Sequence, residues 1–172
     1  RDCLLSRGLG DVYKRQNVNT RLAKLDGGEF DAIILACAGL IRLGFEGRIG
    51  AAIDPDLSLP AAGQGAVGIE FRETDQRVRD LLGPLHHEDT ATRVLAERAV
   101  VRRLDGGCDV PIAAFAEFDG DGLWLRARVG ATDGTSLLEA EARGADPEQL
   151  GESVAEMLLS QGAEDLIRAA RG

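Results

Sequence analysis

The sequence has little cysteine, histidine, lysine or aromatic content, and each shortage removes a class of function. Its three cysteines, Cys3, Cys37 and Cys108, show no C-x-x-C spacing, and His86 and His87 are the only imidazoles, which argues against a structural metal site such as zinc. An odd cysteine count without a signal-peptide pattern points to a reducing, cytoplasmic setting. No apolar run approaches the roughly 20 residues that span a bilayer, so no membrane partner is expected. Lysine is confined to Lys14 and Lys24, and the net charge is -9, which opposes nucleic-acid binding through the overall field.

What remains is an arginine-rich, acidic chain of 172 residues, 44% hydrophobic and 28% charged, the balance of a globular protein with a packed core. Arginine suits carboxylate ligands because its planar fork donates two parallel hydrogen bonds. A composition bias explains the total equally well, so each arginine is argued by position.

Residues 1–16 carry no helical or strand period and are either a native terminus or a non-native stretch. From Asn17 the chain becomes legible. NVNTRLAKLDGGEF predicts a short helix over Arg21 to Leu25, capped by Asn19 or Thr20 and ended by Gly27 and Gly28. The apolar run Ala32 to Ala38 reads as a strand buried on both faces, with Cys37 an inert thiol at its end. Arg42 follows on a helix-like stretch, where open α/β sheets place anionic ligands. In LSLPAAGQGAVGIEFR, Pro60, Gly63 and Gly65 make a turn carrying Gln64, and AVGIEF reads as a second strand. Gln64 is either a ligand contact or an ordinary solvated loop residue.

TDQRVRDLLGPL predicts a helix stopped by Gly83 and Pro84, the main domain boundary. HEDTATRVLAERAVVRRL then reads as a helix capped near Asp89 or Thr90, with Ala91, Val94, Leu95 and Val101 on its apolar face and Arg98 within that arc. Three strand candidates follow, VPIAAFAEF, GLWLRARVGA and SLLEAEARG, joined by the turns DGDG and ATDGT into an antiparallel sheet. A last helix begins at the cap Asp146 with Pro147 in its first turn and Leu150, Val154, Met157 and Leu158 on its stripe. The expected fold is therefore α/β followed by a small α+β domain, a three-stranded antiparallel sheet with helices on one face.

Cys108, in LDGGCDVPI, sits between helix and strand behind Gly106 and Gly107. A helix cap followed by a spare thiol is the plain reading. An accessible thiol that anchors a group covalently is the other, since no histidine lies nearby to serve as a base.

NVNTRL, GEFDAIILACAGLIRLGFEGRI, LSLPAAGQGAVGIEFR, AERAVVRRLDGGCDVPI and the terminal helix, in this order over about Asn17 to Ala170, resemble the C-terminal part of the porphobilinogen deaminase (hydroxymethylbilane synthase) family. The resemblance implies a dipyrromethane cofactor held as a thioether on Cys108, with Gln64 beside it. It implies that Arg21 and Arg42 bind the acetate and propionate arms of porphobilinogen and of the growing linear polypyrrole. Four porphobilinogen units would join the primer, each losing ammonia to leave an electrophile that the chain's free α-carbon attacks, before hydroxymethylbilane is released for haem biosynthesis. An aspartate stabilises the positive charge near the pyrrole nitrogens in this family.

That aspartate and the first domain have no counterpart in the sequence, so the resemblance implies an inactive fragment of a monomeric, cytoplasmic enzyme. Its layout would be residues 1–16 atypical, 17–65 the remainder of a periplasmic-binding-protein-like α/β domain, 66–84 a strand and helix returning to the missing domain, and 85–172 the cysteine-bearing domain. Arg15 stands in RQNV where the family reads R-G-N-V and is not carried over. The two glycines before Cys108 would leave clearance for the pyrrole chain. A non-catalytic ligand-binding or interaction module is the rival reading, and a thiol redox role lacks a resolving cysteine.

Overall fold

The computed structural model describes residues 17–107 and 110–171. The chain divides into two compact units, Arg1–Asp54 and Pro55–Gly172.

In the first unit, α1 (Val18–Asp26) starts two to three residues earlier than its sequence suggested, because Asn17 is the cap and its Oδ1 accepts the Asn19 N–H at 3.4 Å. Helix α2 (Cys37–Arg42) begins inside the run expected to be a strand. Residues 32–36 lead into it without ladder pairing, and Ile34 is 73% exposed. An apolar run states a preference for burial, but a strand also needs a partner, and none is present among the described residues. Cys37 is half-buried at the first position of α2, and Leu22 and Leu40 are the unit's only buried residues among those described.

In the second unit AVGIEF likewise forms no strand, and Val67 and Ile69 face solvent. Helix α3 (Gln76–Leu82) forms as expected, with Asp75 accepting the Val78 N–H at 3.1 Å and Gly83 ending it. Helix α4 (Glu88–Arg103) is capped by His87, whose Nδ1 accepts the Thr90 N–H at 3.3 Å, rather than by Asp89 or Thr90.

The one sheet among the described residues has the order β1 (Ile112–Asp119), β2 (Gly122–Gly130) and β3 (Leu137–Gly144), antiparallel throughout, with Ala116 opposite Leu125 and Leu125 opposite Ala142. Strict alternation in β2 sends Leu123, Leu125, Ala127 and Val129 into the core. Each fully buried leucine or valine there contributes roughly 1.5–3 kcal/mol. The core is completed by Ala96 and Val100 of α4, by Leu104 that caps its end, by Leu150, Val154 and Leu158 of α5 (Pro147–Ser160) and by Ile167 of α6 (Ala163–Arg171).

Helix α5 is capped as expected, with Asp146 accepting the Gln149 N–H at 2.9 Å and Pro147 in the first turn. The terminal segment is two helices rather than one, because Gly162 adopts φ +99 and breaks it. Met157, expected on the apolar stripe, is partly exposed at 37%.

Helices α4 and α5 touch backbone to backbone. A Cβ on Gly151 would stand 2.4 Å from the Ala99 Cβ and 2.5 Å from the Ala96 carbonyl oxygen. The face of α4 turned to the core is thus the small-residue stripe Ala96, Ala99 and Val100. Leu95 and Arg98, placed on the apolar arc by sequence, are exposed, so Arg98 needs no buried partner.

Candidate cofactor site

Helix α4 ends at Leu104, and Asp105 follows with φ +50, the left-handed conformation that usually calls for glycine. The Gly106 N–H turns back to the Val101 carbonyl at 2.9 Å. A Cβ on Gly106 would meet Ile112 Cδ1 at 2.5 Å and Val101 Cγ1 at 3.3 Å. Gly106 therefore serves internal packing of the loop against its own helix and β1, which corrects the expectation that it clears space for a ligand. Past the loop, the Val110 N–H donates to the Gly107 carbonyl at 3.3 Å and buried Val110 leads into β1. Cys108 itself lies outside the described residues.

Gln64 is exposed at the tip of a turn in which its own N–H donates to the Ala61 carbonyl at 2.9 Å. The flanking Gly63 and Gly65 have φ +72 and +84, where an L side chain is strained. Ala62 packs on the core, and the Gly63 N–H donates to Glu97 Oε2 at 2.6 Å. The other oxygen, Glu97 Oε1, accepts the Ala116 N–H of β1 at 3.0 Å. Glu97 is only 5% exposed. Burial pushes its carboxyl above the ordinary range, while the N–H groups of Gly63 and Ala116 and the Arg93 charge pull it down less strongly.

Sequence reasoning missed Glu97 and drew attention to its neighbour Arg98. A helical wheel turning about 100° per residue places Glu97 between Val101 and Leu104, so the signal was available once Val100 and Leu104, not Val94 and Leu95, were taken as the buried face.

The two arginines belong to the first unit. Arg21, half-buried on α1, spends one long bond, Nη2 to the Ile34 carbonyl at 3.4 Å, and keeps the rest of its fork. Arg42 ends α2, is exposed, and has no hydrogen-bond or ion-pair partner among the described residues. Arg48, by contrast, is committed to Asp26 through two hydrogen bonds of 2.5 and 3.3 Å. Gln64 and the loop after α4 share the second unit. No cluster of histidine, cysteine or acidic side chains able to hold a metal occurs among the described residues, nor is any of their helices long and apolar enough to cross a membrane.

Residues 9–80 match the family model of the porphobilinogen deaminase dipyromethane cofactor binding domain, and residues 91–160 match that of the porphobilinogen deaminase C-terminal domain. The two matches, in this order, take in the Gln64 turn, α4 with Glu97, the loop after it and the whole sheet, and the chain belongs to the porphobilinogen deaminase family.

Proposed function

We propose that the chain is the cofactor-bearing part of a hydroxymethylbilane synthase, a transferase that joins four porphobilinogen units with loss of ammonia and releases hydroxymethylbilane for haem and related tetrapyrroles. The observation that carries this reading is that one helix, α4, anchors both family motifs: the Gln64 turn through Glu97 and the Cys108 loop through Val101. A dipyrromethane bound as a thioether on Cys108 would supply the primer carbon that accepts the first unit.

The donor set suits such a group. Every pyrrole of the growing chain carries acetate and propionate arms, and Arg21 and Arg42 retain guanidinium N–H groups for them, whereas Arg48 already has both of its Nη atoms on Asp26. Gln64, exposed on a turn fixed by its glycines, offers an amide to the cofactor. These residues bind and orient. The family's charge-stabilising aspartate has no counterpart here, so the chain is proposed to need the remainder of the enzyme for turnover. The exposed apolar segments 32–36 and 66–71 support this reading, as strands of a periplasmic-binding-protein-like α/β domain whose partners lie elsewhere. The complete enzyme is proposed to be cytoplasmic and monomeric, without nucleic-acid or membrane partners.

Mass spectrometry of the enzyme under denaturing conditions tests the assignment. An added mass equal to a dipyrromethane, abolished by Cys108→Ala, is expected, whereas an unmodified Cys108 in active protein would overturn it. Steady formation of hydroxymethylbilane from porphobilinogen by the 172-residue chain alone would refute the dependence on further chain.

A further inference from the structure

Glu97 is a buried carboxylate that the proposed reaction does not use. Its two oxygens are shared between separate elements, one holding Gly63 in the turn before Gln64 and the other holding Ala116 on the outer strand β1. Apart from Ala62, which packs on the core, the turn is built of glycines and the exposed Gln64, and a Cβ added at Gly63 would meet only Val94 Cγ1, at 3.9 Å. Burial raises the carboxyl more than its two N–H donors and Arg93 lower it, so the ionised form is held there against a desolvation cost.

The geometry points to Glu97 as a positioning residue that fixes the Gly63–Gln64–Gly65 turn on α4 and so sets where the Gln64 amide stands relative to the cofactor. The inference rests on the proposed cofactor reading for its consequence but not for its geometry. Glutamine at this position keeps the shape and one acceptor oxygen, but presents an NH2 group to one of the two N–H donors, so only one of the two bonds survives. Aspartate keeps the charge on a stem one carbon shorter.

Amide hydrogen exchange on the full 172-residue chain tests the geometric part. In Glu97→Gln, exchange at the hydrogen-bonded amides of Gly63, Gln64 and Ala66 should quicken by about tenfold or more, while Leu125 in the sheet centre keeps its wild-type rate and Glu97→Asp recovers part of the protection. A uniform acceleration that includes Leu125 would mark Glu97 as a plain stability residue, and unchanged rates in the turn would show that it holds nothing there; either overturns the inference. In the cofactor-carrying enzyme, Glu97→Gln should lower the folded fraction of Cys108 bearing the added mass several-fold, and unaltered occupancy together with unaltered kcat and KM would also overturn it. If the wild type carries no added mass, the cofactor reading fails while the exchange rates still decide the role of Glu97.

Discussion

Arg171, in the last turn of α6, donates from Nη2 to both the carbonyl and the carboxylate of Asp105, the left-handed residue that opens the loop toward Cys108. The terminal helix thus holds the start of the loop that leads to Cys108 from across 66 positions of sequence. The ion pair is exposed on both sides, with Asp105 at 91%, so Arg171→Ala should lower global stability by no more than about 1 kcal/mol. Asp105→Gly loses the same pair but relieves the left-handed backbone by roughly 1 kcal/mol, leaving stability nearly unchanged. Urea midpoints of the two variants distinguish these outcomes.

Gly151→Ala sets two effects against each other. Alanine gains about 1 kcal/mol of helix propensity in α5. Its Cβ, however, would enter the space of the Ala99 Cβ and the Ala96 carbonyl, both fixed by the α4 backbone and unable to rotate away. Overpacking of about 1–3 kcal/mol or more should win, lowering the melting temperature. A stabilised variant would show that the helices are free to separate.

The stability of the chain should depend on pH through Glu97. The folded carboxyl is raised above its ordinary value of 4.5, so the folded state binds more protons than the unfolded one in the range just above that value. The stability from this group is fully present below the ordinary value and is lost as pH rises through the raised folded value. Glu97→Gln removes the titration, so the stability of wild type minus that of the variant should fall with rising pH across this range. Urea unfolding at a series of pH values measures that difference, and a rising difference would contradict the sign.

On the sheet's outer face, Arg126 is paired with Asp56 and Glu117 and its guanidinium lies over Trp124, 4.1 Å from the ring centroid. Trp124 is the only tryptophan, so its emission reports on this stack without interference. Arg126→Ala should cost about 1–2 kcal/mol, mostly as lost stacking and packing, since both acids are partly exposed and rehydrate. Arg126→Lys should recover little, because an ammonium offers neither the fork nor the flat face. Unchanged tryptophan emission in Arg126→Ala would contradict the stack.

Ile34 and Val67 are 73% and 87% exposed, and neither contributes to a core in its unit. Ile34→Lys and Val67→Lys should leave the unfolding free energy within about 0.5 kcal/mol of wild type while reducing concentration-dependent light scattering. A marked loss of stability would place these side chains in a packed interior.

Sequence and structure agree most closely where the signal needs no distant partner. The alternation of Leu123 to Val129 and the Asp146-Pro147 helix start specify themselves locally, and both form as read. The runs 32–38 and 66–71 carry as strong an apolar signal, yet a strand is completed by another strand, which no run contains. The caps at Asn17 and His87 escaped because the expected cap residues, Asn19 or Thr20 and Asp89 or Thr90, lay two to three residues further on. Cys108, Gln64, Arg21 and Arg42 stand out only through motif resemblance, while spacing alone leaves a capped helix and an ordinary loop in play. Glu97 escaped because a charged residue is not sought on a buried face, and the face itself was misjudged by preferring Val94 and Leu95 over alanines.

The sheet has two outer strands, and a side chain from α4 or from the end of α5 occupies each. Glu97 takes the Ala116 N–H of β1, and the Gln161 amide after α5 donates to the Glu139 carbonyl of β3 at 3.0 Å. A foreign strand seeking to extend the ladder would first have to evict one of these groups. The domain is thereby closed to growth by strand addition at these points, which leaves the exposed, unpaired segments 32–36 and 66–71 as the places where mispairing can start.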